Sequence, residues 1–207
     1  MEWSHGNQVL KLTNIEAFSM VHFRGMVAAA IRDCQGALQP LMFNWEPAID
    51  LDSIKDNLTN NQAGWSFLME PGNDLQGSFR HLHQRAWEQP RLRLGREGGM
   101  QWSSQRAEGY IQLATKFQRQ LLACIHFTGG LLGRGTEITT MKWCNTRHVM
   151  RNIFVYHGRL IVITEYTKAR YKTNQSFYIV RFLPLSVSRI LFQYLVYVRP
   201  FMGALED

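Results

Sequence analysis

The spacing of apolar residues changes near residue 150, and this change limits the possible folds more than any other feature. Before it, apolar residues recur every three or four positions, which predicts an amphipathic helix that carries Tyr110, Leu113, Phe117, Leu121 and Cys124. After it, β-branched and aromatic residues fill 152–156 and 160–166, which predicts a hairpin with its turn at His157-Gly158. A third strand is expected over 178–183, and then a last helix capped by Ser186. The sequence therefore predicts an α+β fold, mainly α, with a small antiparallel sheet.

The first hundred residues predict a helical N-terminal lobe. Thr13 and Glu16 have the spacing of a capping box, which predicts a helix from there to about Leu38, with Pro40 stopping it. Its predicted apolar face carries Ile15, Phe18, His22, Met26 and Ala29. Glycine and proline interrupt 44–80, where a short helix over 51–58 is expected and Trp65-Ser66-Phe67 is expected to pack against a core. The basic, glycine-rich stretch 91–100 predicts a boundary between a lobe over 1–100 and a half-domain over 101–207.

Several classes of protein do not fit the composition. No run of about 18 uncharged apolar residues is present, so no membrane partner or membrane span is expected. The first residues lack the basic start and apolar core of a signal peptide. Three widely spaced cysteines without a C-x-x-C pair favour reduced side chains over a disulfide framework or a zinc site. An intracellular location is therefore expected.

Positive charge is concentrated in the second half of the chain. Residues 110–207 contain 13 Lys and Arg against 4 Asp and Glu, whereas residues 1–109 contain 10 against 12. This asymmetry favours an acidic partner, most often a nucleic acid. A solvated basic face without a ligand remains the alternative from charge alone.

Motifs for nucleotide and cofactor chemistry are absent. The sequence contains no G-x-x-x-x-G-K-[ST], G-x-G-x-x-G, H-E-x-x-H or G-x-S-x-G pattern. Neither a phosphate-cradling loop nor a cofactor is therefore expected, and the histidines have no partners at metal spacing.

The order of segments after the long helix carries a resemblance. Gly129-Gly130 is followed by Gly133-Arg134-Gly135-Thr136-Glu137-Ile138, then by the hairpin with Lys168, and then by Phe182-Leu183-Pro184-Leu185. This order resembles the first half of a tyrosine recombinase catalytic domain. The resemblance implies that Arg134 matches the first catalytic arginine, that Glu137 is its buried partner, and that Lys168 matches the hairpin lysine.

A second resemblance is to a fungal group. Arg151-Asn152-Ile153-Phe154-Val155, the segment 162–168, Arg181-Phe182-Leu183-Pro184 and the upstream Ile54-Lys55-Asp56 are similar to segments of subtelomeric RecQ-type helicase-like proteins. Those proteins carry a recombinase-like region before their helicase motor. The resemblance implies a helicase-associated, nuclear protein.

Departures from the recombinase pattern argue against catalysis by this chain. A recombinase needs an H-x-x-R box and a tyrosine nucleophile after the region that is matched. His148-Val149-Met150-Arg151 lies before the hairpin, in the wrong order, and Tyr194 and Tyr197 fall on the apolar face of the last helix. Arg134 and Lys168 are therefore expected to be vestigial catalytic residues at most.

The expected function is a non-catalytic DNA-binding module, a truncated copy of a helicase-like or recombinase-like protein. Its DNA phosphates would be held by Arg134, Lys142, Lys168, Arg170 and Lys172. Two alternatives remain open: a fragment of an active helicase or recombinase, and a protein-interaction module with a basic face. Arg134 could also cap helix carbonyls or pair with Glu137, and the cations of 168–172 could form a solvated turn.

Overall fold

The computed structural model describes residues 2–4, 6, 8–12, 15–88, 104–130, 135–166 and 177–206. Within them the chain is mainly helical with small antiparallel sheets, which confirms the predicted α+β class. No helix in the described ranges is long and apolar enough to cross a membrane.

The chain begins with strands, so the predicted capping-box helix is wrong at its start. Strands β1 (Glu2–Trp3), β2 (Val9–Leu12) and β3 (Ile15–Ser19) form an antiparallel sheet in the order β1-β2-β3. Pairing of Leu10 with Phe18 and of Leu12 with Ile15 fixes the second hairpin. Cross-strand pairing of two short apolar runs outweighs the local capping pattern here, because a capping box contributes only about 1 kcal/mol.

Helix α1 (Met20–Leu41) follows directly and buries a different face from the one predicted. Its buried side chains are Cys34, Leu38 and Leu41, whereas Met26 is 47% exposed and His22 is also exposed. The helix continues one residue past Pro40. It ends where Phe43 and Asn44 adopt positive φ and the Asn44 amide donates to the Gln39 carbonyl at 2.8 Å.

The segment between α1 and helix α2 (Arg80–Glu88) is irregular but packed into the core. The helix expected over 51–58 is absent, and the only helical turns described there are the short 3-10 turns Phe67–Met69 and Pro71–Asn73. Ser66 and Phe67 are fully buried, as predicted for Trp65-Ser66-Phe67, although Trp65 itself is only half-buried. The Phe67 ring stacks on that of Phe192 with centroids 5.8 Å apart.

The long amphipathic helix is confirmed as α3 (Ser104–Thr128). Tyr110, Phe117, Leu121 and Cys124 are buried, but Leu113 lies at the margin of this face and is 37% exposed. Helix α3 packs along α1, where the Tyr110 hydroxyl donates to the Leu41 carbonyl at 3.0 Å. The division at residue 100 stays a prediction, because 89–103 lie outside the described residues. Buried side chains from both sides of it form one cluster.

The predicted hairpin and third strand are confirmed. After the short helix α4 (Gly135–Thr139), strands β4 (Ile153–Tyr156), β5 (Arg159–Tyr166) and β6 (Phe177–Phe182) form an antiparallel sheet. His157 and Gly158 have φ of 45° and 67°, the conformation of a two-residue hairpin turn that matches the strand twist. A side chain at Gly158 would also collide with the Asp52 carboxylate.

The C-terminal helices pack under this sheet and complete the core. Helix α5 (Leu185–Gln193) continues through a π-helical turn (Tyr194–Val198) into α6 (Arg199–Glu206). Pro184 occupies the N-cap, so the predicted cap by Ser186 is wrong. The hydroxyl of Ser188 accepts a hydrogen bond from the Leu160 amide at 3.1 Å and thereby joins α5 to β5.

Candidate nucleic-acid interface

Of the five cations predicted to hold phosphates, the described residues contain Lys142. Arg134, Lys168, Arg170 and Lys172 lie outside them, so their assignment stays a prediction. Lys142 is exposed, and its backbone is fixed to the start of the hairpin. Its amide donates to Asn152 Oδ1 at 2.8 Å, and its carbonyl accepts from the Asn152 amide at 2.7 Å.

A second cation, Arg199, lies against Trp143, the residue that follows Lys142 in the sequence. The Arg199 guanidinium stands over the Trp143 ring at 4.5 Å from the centroid. Trp143 and Arg199 also line a groove of about 280 Å³ between α3, α4 and the C-terminal helices. Helix α6 thus brings a cation from the end of the chain to the connection between α4 and β4.

The glycine turn after α3 lies against a cation that the sequence analysis did not select, Arg181. A Cβ at Gly129 would lie 3.3 Å from Arg181 Cδ and 2.8 Å from the Ile125 carbonyl oxygen. Because this space is so narrow, only glycine fits there without a shift of its neighbours. Gly130 has a φ of 86°, which also favours glycine.

Arg181 points inward from β6 and donates to the Thr164 hydroxyl of β5. Both residues line a cavity of about 20 Å³ together with His126 of α3 and Ile138 of α4. Arg134 directly precedes Gly135, the first residue of α4. Strand β6 carries apolar residues on both of its faces, so its sequence gives no signal that Arg181 points inward.

Arg151, the arginine of the misplaced H-x-x-R pattern, has a structural role. Its Nη2 atom lies 2.6 Å from Asp56 Oδ1, and both side chains are fully buried. The same guanidinium donates to the Asn57 carbonyl at 2.9 Å and stands 4.4 Å over the Phe154 ring. His148 is exposed, so the two residues do not form a common site at the surface.

Asp56 is held from two sides. Its Oδ2 atom accepts a hydrogen bond from the Val155 amide of β4 at 3.0 Å. Burial raises the pKa of the Asp56 carboxyl above its ordinary value, while the Val155 amide and the Arg151 guanidinium act in the opposite direction. This ion pair joins the irregular segment to the hairpin and leaves Arg151 unable to bind a phosphate.

The two tyrosines of the last helix belong to the core, as predicted. Tyr194 and Tyr197 are 7% and 8% exposed, and Tyr194 accepts a hydrogen bond from the Gln118 side chain. Burial raises the pKa of both phenols above the ordinary value of 10.0. Protonated, enclosed hydroxyls are poorly suited to attack a phosphate.

The recombinase resemblance matches Glu137 to a buried partner of the first catalytic arginine. In the structure Glu137 is half-buried in the first turn of α4.

No group of three His, Cys, Asp or Glu side chains in the described part of the chain could hold a metal ion.

Comparison of the chain with protein-family models, with curated proteins and with solved structures finds no match. The resemblances to tyrosine recombinases and to fungal helicase-like proteins therefore rest on the motifs of this sequence alone.

Proposed function

We infer that this chain is a non-catalytic module that binds DNA through its basic half. The observation that carries the proposal is the charge distribution, with 13 Lys and Arg against 4 Asp and Glu over 110–207. Phosphate contacts supply most of the affinity of such modules and do not depend on base sequence.

The exposure of these cations supports the proposal. Among the described cations of this half, Arg151 is buried in its ion pair with Asp56 and is not available to a ligand. Six side chains are exposed and can reach a polyanion: Lys116, Arg119, Lys142, Arg147, Arg159 and Arg189.

Arg134 is the proposed centre of the phosphate contacts. It follows the tight Gly129-Gly130 turn and precedes α4, whose Ile138 lines the same small cavity as Arg181. Arginine offers a planar, permanently charged fork that suits two phosphate oxygens. Recombinase-like ancestry would explain why an arginine occupies this position.

The Arg134→Ala variant tests this assignment with two readouts. Loss of a charge-assisted contact should weaken duplex DNA binding by about 1–3 kcal/mol and leave the melting temperature nearly unchanged. Fluorescence anisotropy and thermal denaturation measure the two quantities on one sample. Arg24→Ala, which removes an exposed cation from α1, is the matched control and should change neither quantity.

The opposite pattern would contradict the role of Arg134. If the guanidinium caps helix carbonyls or pairs with Glu137, the substitution lowers the melting temperature, and the folded fraction keeps its DNA affinity. Measured together, the two quantities separate these roles.

A helicase-type activity is not expected from this chain. No phosphate-cradling loop occurs in the sequence, so the purified protein should not hydrolyse ATP, with or without DNA. A release assay for inorganic phosphate measures this directly. DNA-stimulated ATP hydrolysis by the purified chain would overturn this prediction.

A further inference from the structure

The sheet β4-β5-β6 has an outer face that is unusually rich in exposed aromatic side chains. Successive residues of a strand point to opposite faces, and residues paired across strands share a face. Ile153, Val162 and Arg181 form one pairing row on the core side, so the neighbouring row of Phe154, Ile161 and Phe182 lies on the outer side. The exposed aromatic and aliphatic residues of this outer side are Tyr156, Tyr178, Val180 and Phe182, which we call the outer sheet face.

The rings of the outer sheet face are available to a partner. Tyr178 is 68% exposed, Phe182 is 53% exposed and Tyr156 is 42% exposed. Phe182 lies 6.3 Å from Tyr156 between ring centroids, on either side of the buried Ile161. The His157 ring contacts Tyr156 edge to face at 4.3 Å. Tyr156, His157 and Phe182 form a platform over the buried Ile161, and Tyr178 lies four positions from Phe182 on the same side of β6.

In the described part of the chain, the outer side of the sheet carries one exposed cation and one exposed acidic side chain, so the attraction for an anionic occupant comes from the basic half as a whole. Arg159 is paired in register with Tyr156, shares its face and is exposed. Glu165, paired with Tyr178, is the one acidic side chain on this face among the described residues. Arg159 belongs to the half of the chain in which cations outnumber acids 13 to 4. Aromatic side chains beside cations are the combination that binds unpaired bases, because every base has a face that can stack.

We propose that the outer sheet face stacks the bases of single-stranded nucleic acid. The proposal rests on the proposed function, since the same basic half attracts the phosphates. The rings lie on the opposite side of the sheet from Arg181 and the Gly129 turn, whereas the exposed Arg159 can contact phosphates of either a duplex or a single strand. Duplex DNA keeps its bases paired and stacked, so it cannot use the aromatic platform.

The test compares two probes on the same variants. Anisotropy titrations use a labelled oligothymidylate and a labelled duplex of equal length, with Tyr178→Ala, Phe182→Ala and the double variant. Each single substitution should weaken binding of the single strand by roughly 5- to 100-fold, and that of the duplex by less than about twofold. Tyr178→Phe and Phe182→Trp, which keep a stacking ring, should restore single-strand affinity to within about twofold of the original.

Trp3→Ala is the control, since it removes an exposed ring from the other sheet. It should leave both affinities unchanged, and circular dichroism should give the same spectrum for every variant.

Each alternative outcome is distinct. If the double variant binds the single strand as tightly as the original chain while duplex binding persists, the stacking role is wrong and the proposed function stands. If neither probe binds the original chain, both fail. If sedimentation shows that the original chain self-associates and the double variant does not, with equal single-strand affinity, the outer sheet face is an interface between copies, which overturns the stacking role.

Discussion

Replacing Arg151 with alanine is expected to lower the free energy of unfolding by about 3–5 kcal/mol. The substitution leaves the Asp56 carboxylate buried without its cation, and it also removes the hydrogen bonds to the Asn57 carbonyl and to Asn145. Denaturant unfolding measures the change. Arg147→Ala, an exposed arginine on the same connection, is the control and should change stability by less than about 0.5 kcal/mol.

The same variant should show a stronger pH dependence of stability than the original chain, with the same sign. Burial already raises the pKa of Asp56 with Arg151 present, and loss of the guanidinium raises it further. The folded variant then retains a proton that the unfolded chain releases near the ordinary value of 3.8, so its stability falls as pH rises above that value. A stability deficit that is small and independent of pH would contradict a buried ion pair.

Local signals were enough to predict the hairpin, the third strand, helix α3 and the helix that follows the sheet. Helical spacing over 110–124 and a glycine turn between two β-branched runs need no information from distant residues. The N-terminal strands could not be predicted, because the local Thr13 and Glu16 pattern pointed to a helix. Their pairing depends on how Leu10 and Phe18 meet across a turn.

The buried ion pair between Asp56 and Arg151 could not be predicted for a related reason. Asp56 and Arg151 are 95 positions apart, and no local pattern around either residue predicts a buried charge. Their pairing follows from the packing of the irregular segment against the edge of β4, where Asp56 also accepts from Val155. The packing of Gly129 against Arg181 is likewise a contact between distant elements.

The candidate phosphate-binding site is still assigned mainly from the sequence. Lys142 is exposed beside the hairpin, as a phosphate ligand requires, while Arg134 and the cations of 168–172 are assigned by sequence alone. Arg181 and Arg199 are the cations that only the tertiary structure brings into the same region. Charge can be counted from the sequence, whereas the surface on which it accumulates depends on the fold.

The salt dependence of duplex DNA binding tests the central claim most directly. If about 4–6 phosphates are neutralised, the logarithm of the association constant should fall against the logarithm of salt concentration with a slope of roughly −4 to −5. Affinity should then fall about 250- to 1000-fold between about 50 and 200 mM salt. Lys142→Ala should make the slope less steep by about 1, whereas Lys11→Ala, in the acidic half, should leave it unchanged. A flat salt response, or equal slopes for all three proteins, would contradict DNA binding through the basic half.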